Sequence, residues 1–212
     1  MSQSFDRKRF LIGECRHDLD ASFVERLCVE FVGRPPESTL HTIVKQSPYA
    51  SYKSLTSDFL PPHNDGLYYK KIPELLVIRC NQPADFGGEL FLYDGRYAAD
   101  KLSETIKSNR TVSMTYSAGP YVASHPLFVR HQLLNQRVAL YMDAADLTKG
   151  RTFSMDLTDH EISMAAVSIQ SLTPSETIIL NRGEFVVIDN FAYLHGRSGY
   201  QGPRSMERVL IF

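Results

Sequence analysis

The sequence contains no tryptophan, only three cysteines and no long apolar run among its 212 residues. No stretch approaches the roughly 20 apolar residues that a helix needs to cross a bilayer. The apolar stretch after the basic N-terminus is too short for a signal peptide. The cysteines, Cys15, Cys28 and Cys80, show no paired spacing, which argues against a disulfide framework and favours a reducing, cytoplasmic location.

The chain also lacks an excess of charge of either sign, with 23 basic and 24 acidic residues. This balance argues against a surface for polyanions, so neither nucleic acid nor a membrane is an expected partner. Hydrophobic residues make up 43% of the chain and charged residues 22%, which is typical of a globular protein. The length then predicts one domain over residues 1–212.

Short apolar runs separated by turn residues follow one another from about residue 75. Helical periodicity is limited to three segments, with N-cap candidates at Asp20 or Ser22 for the first and Thr158 or Asp159 for the last. The predicted helices end near Val32, Ile106 and Gln170, and the predicted strands cover 75–80, 89–93, 111–116, 127–131, 138–142, 178–180, 185–189 and 208–212. Many short strands with few helices predict a mainly β, antiparallel sandwich or barrel rather than a doubly wound parallel sheet.

Two histidines and an aspartate are the residues that indicate a chemistry. His63 and Asp65 are two positions apart, so on an extended segment their side chains lie on the same face. With His195 they would form the two-histidine, one-carboxylate ligand set of non-haem Fe(II) oxygenases. By itself the His-x-Asp spacing is equally consistent with a turn in which Asp65 caps backbone amides.

Four segments resemble, in order, the motifs of the TauD/TfdA family of Fe(II)/2-oxoglutarate-dependent dioxygenases, which includes taurine dioxygenase and clavaminate synthase. Pro62-His63-Asn64-Asp65-Gly66 is similar to the His-x-Asp segment, and Gly87-Gly88-Glu89 to the Gly-Gly-Asp/Glu-Thr turn. His125 to His131 resembles the His-Pro-Leu-Val-Arg-x-His-Pro stretch. Residues 183–197, which end in Leu194-His195-Gly196-Arg197, resemble the Gly-Asp-Leu-x-x-x-Asp-Asn…His-Gly-Arg motif.

The resemblance implies a double-stranded β-helix (jelly roll) with a few flanking helices. It also implies Fe(II) held by His63, Asp65 and His195, with 2-oxoglutarate and O2 as co-substrates. The expected reaction is oxidation, first of all hydroxylation, of a C–H bond in a small molecule, with decarboxylation of 2-oxoglutarate to succinate. Since Asp65 supplies the carboxylate that halogenating relatives lack, halogenation is not expected.

The resemblance further places two arginines at the co-substrate. Arg204 falls on the position that binds the distal carboxylate of 2-oxoglutarate, and Arg208, which contacts an anionic substrate in some members, is the alternative. Arginine suits this role because its guanidinium offers two parallel donors. The family's threonine hydroxyl for the same carboxylate is replaced by Leu90, and Ser113 or Tyr93 are candidates to supply the missing donor. Arg197 is interpreted as structural or near the entrance.

Asn64, Tyr68 and Arg130 are the candidate substrate contacts, together with His125 and Arg208. The portion ahead of His63 is short for the family, so a homo-oligomer in which a partner subunit completes the pocket remains an alternative. Desaturation, epoxidation and ring closure are alternatives that use the same oxidant. A zinc-dependent hydrolase or isomerase and a non-catalytic jelly-roll binding protein are the other two classes, and the two C-terminal arginines favour the dioxygenase.

Overall fold

A computed structural model describes residues 9–15, 17–46, 55–106, 111–118, 121–142 and 151–212. Capping residues are found at the ends of its helices. The Asp20 side chain accepts a hydrogen bond from the N–H of Phe23 at the first helix, and Thr158 forms a capping box with Glu161 at the third. Gly33, at φ 82°, ends the first helix. The three helices are α1 (Ala21–Val32), α2 (Gly95–Thr105) and α3 (Asp159–Gln170).

The described residues also form sixteen strands, most of which follow one another without a helix between them. In chain order they are β1 (Phe10–Glu14), β2 (Thr39–Lys45), β3 (Leu60–His63), β4 (Leu75–Gln82), β5 (Phe86–Gly87), β6 (Leu90–Asp94), β7 (Ser113–Ala118), β8 (Tyr121–Pro126), β9 (Phe128–Arg130), β10 (Arg137–Ala139), β11 (Arg151–Met155), β12 (Glu176–Ile178), β13 (Glu184–Asp189), β14 (Tyr193–Arg197), β15 (Tyr200–Gln201) and β16 (Ser205–Ile211).

Two antiparallel sheets form the body of the fold. The larger has five strands in the order β1-β13-β4-β16-β2, and the smaller has four in the order β12-β6-β14-β3. Shorter sheets, β11-β7-β8, β10-β9 and β15-β5, extend them. This arrangement confirms the predicted mainly β fold with a jelly-roll core.

The larger sheet is apolar on both faces because it separates two hydrophobic clusters. In β4, Leu75 and Val77 pack against α1, whereas Leu76 and Cys80 point into the space between the two sheets. Successive side chains of a strand alternate between faces, so one strand contributes to both clusters. Each fully buried aliphatic side chain stabilises the fold by about 1.5–3 kcal/mol. A third cluster joins α2 and α3 to the other face of the smaller sheet.

Several elements differ from the sequence-based prediction. The strand at β3 was not predicted; Pro61 and Pro62 lie within it and remove two backbone donors. The predicted strand at 138–142 is shorter in the structure, since β10 ends at Ala139. No helix in the described part of the chain is long and apolar enough to cross a membrane.

Candidate metal centre

Pairing of β14 with β3 brings the two histidines together although they are far apart in sequence. His195 is the direct cross-strand neighbour of His63, and their ring centres are 4.3 Å apart. A Cβ atom at Gly196 would lie 2.7 Å from the carbonyl oxygen of Leu60. Glycine at this position therefore permits the close approach of the two strands beside the histidine pair.

The three predicted ligands converge on one point. Donor atoms of His63, Asp65 and His195 all lie within 4.8 Å of one another, and all three residues are buried. The Nε2 atom of His63 is 3.7 Å from Oδ1 of Asp65, and the Nε2 atom of His195 is 3.9 Å from Oδ2. Metal–nitrogen and metal–oxygen bonds of about 2.0–2.2 Å allow one ion to join donors at these separations. A metal ion thus fits this donor set.

The protonation states of the two histidines suit metal binding. Nδ1 of His63 lies 2.9 Å from the carbonyl oxygen of Pro61, which can only accept, so the hydrogen is assigned to Nδ1 and the Nε2 lone pair faces the centre. Burial, with a further contribution from His63, lowers the pKa of His195 to about 3. The imidazole of His195 is therefore neutral and able to act as a ligand at neutral pH. Nδ1 of His195 is buried with no hydrogen-bond partner in the described part of the chain.

Asp65 supplies the negative charge of the centre. Burial opposes its ionisation, but the Arg208 guanidinium, together with His63 and His195, outweighs burial and holds the pKa of this carboxyl well below its usual range. Nη1 of Arg208 donates to both carboxylate oxygens, at 3.3 Å and 3.1 Å. The donor set consequently has two imidazoles and one carboxylate, the combination found in non-haem Fe(II) sites.

Asn64 fixes the ligand segment to its surroundings. Its side-chain amide donates to the carbonyl oxygens of Asn190, at 2.7 Å, and Tyr193, at 3.1 Å, while its Oδ1 accepts from the N–H of Tyr141 at 2.8 Å. Both amide hydrogens are thus used within the protein. The structure places Asn64 in a supporting position, whereas the sequence-based hypothesis assigned it to substrate contact.

Asn190 is the reciprocal support, and its role was not predicted although it lies in the Asp189-Asn190 motif. Its Oδ1 accepts from the N–H of Asp65 at 3.1 Å, and its amide donates to the carbonyl oxygens of Asp65 and Pro73. Gly66, the residue that follows Asp65, has φ 76°, and a Cβ atom there would lie 2.5 Å from the Pro73 ring. Asp65 is therefore held from both sides by backbone and amide contacts.

A small cavity of about 60 Å³ opens beside the three ligands, between the two sheets. Strands of both sheets contribute side chains to its lining. Besides the ligands, its lining consists of Arg197, Arg204 and Arg208 with Val44, Leu60, Ile78, Leu90, Gly196 and Met206.

Arg204 and Arg208 both reach this cavity, as the sequence predicts, but they differ in their partners. Arg208 is paired with Asp65, which raises its pKa. Arg204 has no carboxylate within ion-pair distance among the described residues, and burial, followed by the nearby Arg197, lowers its pKa to about 10. Its guanidinium carbon lies 5.4 Å from the ring centre of Tyr200. Arg204 is thus a partly buried cation with no paired carboxylate among the described residues.

The remaining predicted substrate contacts lie elsewhere. Arg130 is exposed, donates to Asn135 at 2.8 Å, and with His125 lines a separate cavity of about 590 Å³. Tyr68 does not line the ligand cavity; burial, with a contribution from Asp65, raises its pKa. Of Arg130, His125 and Tyr68, only Tyr68 has a pKa to which a predicted metal ligand, Asp65, is found to contribute.

Neither candidate for the donor missing at Leu90 reaches the ligand cavity. Tyr93 belongs to the hydrophobic cluster on the opposite face of the smaller sheet. Ser113 lies on β7, in the three-stranded sheet. The structure therefore does not support either residue as the replacement for the hydroxyl expected at Leu90.

Comparison with solved structures shows the same fold in iron enzymes. PvcB from Pseudomonas aeruginosa is 19% identical, with a TM-score of 0.66 over 99% of this chain and 78% of that chain. A second PvcB structure, described as an Fe, alpha-ketoglutarate dependent oxygenase from an isonitrile synthetic pathway, has a TM-score of 0.59 at 19% identity and the same coverage. An asparagine oxygenase in complex with Fe(II), 2S,3S-3-hydroxyasparagine and succinate is 14% identical, with a TM-score of 0.67 over 100% of this chain and 77% of that chain.

No curated protein matches the chain significantly in sequence. The model of the family described as "Taurine catabolism dioxygenase TauD, TfdA family" matches residues 17–210, nearly the full length. This range includes all three predicted ligands and both C-terminal arginines. The chain therefore belongs to the TauD/TfdA family and is an Fe(II)- and 2-oxoglutarate-dependent dioxygenase.

Proposed function

We propose that this dioxygenase hydroxylates a C–H bond of a small-molecule substrate while 2-oxoglutarate is decarboxylated to succinate, and that His63, Asp65 and His195 are its iron ligands. The observation that carries the assignment is the convergence of these three buried donors beside a cavity lined by arginine. When bound, Fe(II) supplies the activation of dioxygen for both oxidations. The two solved relatives support a small-molecule substrate, since one is an asparagine oxygenase and the other comes from an isonitrile synthetic pathway.

The protein's contribution is to hold the ligands and to orient the co-substrate. Arg204 is proposed to bind the distal carboxylate of 2-oxoglutarate, because it lines the cavity, is partly buried and has no acidic partner at ion-pair distance among the described residues. Arg208 is proposed to keep Asp65 ionised and oriented. Tyr68 remains the candidate for substrate contact near the metal.

The proposal also includes a single domain over residues 1–212 and a cytoplasmic location. Cys15, Cys28 and Cys80 are all free thiols, which fits a reducing compartment. Burial raises the pKa of Cys28 and of Cys80, so these two thiols resist ionisation. The size of the purified chain in solution, measured by sedimentation, tests the alternative of a homo-oligomer that completes the pocket.

The test begins with anaerobic addition of Fe(II) and 2-oxoglutarate, which should produce a weak visible charge-transfer band that a zinc site lacks. Succinate formation across amino acids, sulfonates and related small acids then identifies the substrate class. His63→Ala should abolish both signals, because one of three ligands is lost, whereas His160→Ala, at an exposed histidine on α3, should retain them. Succinate formation that survives in the His63→Ala variant would contradict the ligand assignment.

A further inference from the structure

Arg197 is a further cation in the ligand cavity and is more deeply buried than Arg204. It is 3% exposed and follows His195 by two residues on β14, so both side chains lie on the face that meets the cavity. Its Nη2 donates to the carbonyl oxygens of Thr56, at 3.0 Å, and Asp58, at 2.6 Å. Its Nε is buried and has no hydrogen-bond partner among the described residues. A buried guanidinium is costly unless an anion completes its shell.

Arg197 and Arg204 are held against the same aromatic ring. The guanidinium carbon of Arg197 is 4.5 Å from the ring centre of Tyr200, and that of Arg204 is 5.4 Å from it. Neither arginine has a carboxylate within ion-pair distance in the described ranges of the chain, and their charges repel. Two guanidiniums beside one ring, with no carboxylate at ion-pair distance in the described residues, are suited to bind an anion between them.

The strand register places Arg197 opposite the residue that cannot donate. In the pairing of β14 with β6, Arg197 is the direct cross-strand partner of Leu90. Directly opposite residues have Cβ atoms about 4.5–5.5 Å apart, and both residues line the cavity. The longer, polar side chain of Arg197 is thus available in the space that Leu90 leaves without a hydroxyl.

We propose that Arg197 is a second binding residue for the distal carboxylate of the co-substrate, acting with Arg204 and replacing the hydroxyl that is absent at Leu90. The carboxylate then lies against the stack formed by Arg197, Tyr200 and Arg204. This inference rests on the proposed function, because it takes 2-oxoglutarate as the occupant of the cavity. It makes Arg197 a determinant of specificity for dicarboxylic over monocarboxylic 2-oxo acids.

The test compares two ligands of equal chain length on Fe(II)-loaded protein under anaerobic conditions. Dissociation constants for 2-oxoglutarate and for 2-oxovalerate, which lacks the distal carboxylate, are measured by calorimetry. Arg197→Gln should lower the preference for 2-oxoglutarate roughly ten- to hundredfold, as expected for lost hydrogen bonds to a charged group. Arg96→Gln, at an arginine outside the cavity lining, is the matched control and should leave the preference unchanged.

Adding Leu90→Thr to the Arg197→Gln variant should restore part of the preference, because it returns a hydroxyl to the position opposite Arg197. Equal loss of affinity for both ligands, or no loss, would show that Arg197 only holds the backbone at Thr56 and Asp58, and would overturn the inference. If Arg197→Gln does not fold, Arg197→Lys is measured instead. Lysine cannot reproduce the two-pronged geometry, so an unchanged preference in that variant overturns the inference equally.

Failure of the underlying function gives a different result. Unmodified protein that binds neither ligand, or binds both equally, would contradict the 2-oxoglutarate site itself and the Arg197 assignment with it. A clear preference in the unmodified protein that Arg197→Gln leaves intact would contradict only the role of Arg197.

Discussion

Two buried charged clusters in this molecule differ in whether the protein completes them. Around Asp189, the carboxylate accepts from Nε of Arg9 and from Nε2 of His131, each at 2.9 Å, and from the N–H groups of Phe191 and Ala192. The stack of Arg197, Tyr200 and Arg204 has two guanidiniums and, among the described residues, no carboxylate at ion-pair distance. In the first cluster the protein itself supplies both the anion and its partners. In the second cluster the described residues supply cations only, so an anionic ligand could complete it.

The difference is also visible in the pKa values. At Asp189 burial opposes ionisation, but the hydrogen bond from His131 and the charge of Arg9 outweigh it, so the pKa of the carboxyl is lowered. At Arg204 burial and the neighbouring Arg197 act in the same direction and lower the pKa to about 10. A completed cluster stabilises its charged form, whereas an incomplete one penalises it. This contrast separates structural charge from charge reserved for binding.

The largest expected effect comes from breaking the completed cluster. Asp189→Asn leaves Arg9 and His131 buried without their anion, and we expect a loss of about 3–5 kcal/mol in the free energy of unfolding. Urea denaturation measures this loss. The preference of the folded fraction for 2-oxoglutarate over 2-oxovalerate should change little, and a selective fall in that preference would remove the distinction between the two clusters.

Breaking the incomplete cluster should produce the opposite pattern. Arg204→Gln is expected to weaken 2-oxoglutarate binding roughly ten- to hundredfold, since hydrogen bonds to a charged group are worth about 1.5–3 kcal/mol, with little loss of stability because no anion is left unpaired. Co-substrate titration and urea denaturation of the same sample give both numbers. If Arg204→Ala leaves the affinity intact while Arg208→Ala abolishes it, the roles of these two arginines are exchanged.

The pH dependence of stability sharpens the same comparison. A carboxyl whose folded pKa is lowered stabilises the fold above its unfolded value, about 3.9 for aspartate, and this contribution is lost as the pH falls through the folded pKa. The stability difference between the unmodified chain and Asp189→Asn should therefore be constant near neutral pH and shrink below about pH 4. A difference that is the same at pH 7 and pH 3 would contradict the ionised assignment.

The smallest effect is expected at an exposed pair. Arg96 and Asp94 form a surface ion pair in which the arginine side chain is half exposed. Because water screens such a pair, Arg96→Gln should change the free energy of unfolding by less than about 1 kcal/mol. Thermal unfolding measures this change. A loss of stability as large as that of Asp189→Asn would mean that burial does not decide how much a charged pair contributes to the free energy of unfolding.

The sequence allowed the ligand triad to be predicted because its signal is local. His63 and Asp65 are two positions apart, at the end of β3 and in the turn after it, and His195 lies within a motif. Two features of the site could not be read in this way. The pairing of Arg197 with Leu90 depends on strand register, and the support of Asp65 by Asn190 joins positions that only the folded chain brings together.

The fold was predictable to a similar degree. The apolar composition of β4 and β13 is enough to predict them as strands. In contrast, β3 and β14 contain prolines, histidines and a glycine at the predicted metal site. Strand propensity describes how well a side chain fits a half-buried surface, and these two strands are shaped by ligand placement. The segments that depart most from the pattern of ordinary strands are the ones that form the metal centre.

The cross-strand pair of His63 and His195 has a thermodynamic consequence. Because its two halves come from distant parts of the chain, the unfolded ensemble has no preformed chelating site. Any metal that binds the triad must then favour the native state by mass action, by about 2.7 kcal/mol when its free concentration is a hundred times the dissociation constant. The melting temperature should therefore rise with the concentration of free metal. Metal availability in the cell is then one of the factors that set the lifetime of the folded enzyme.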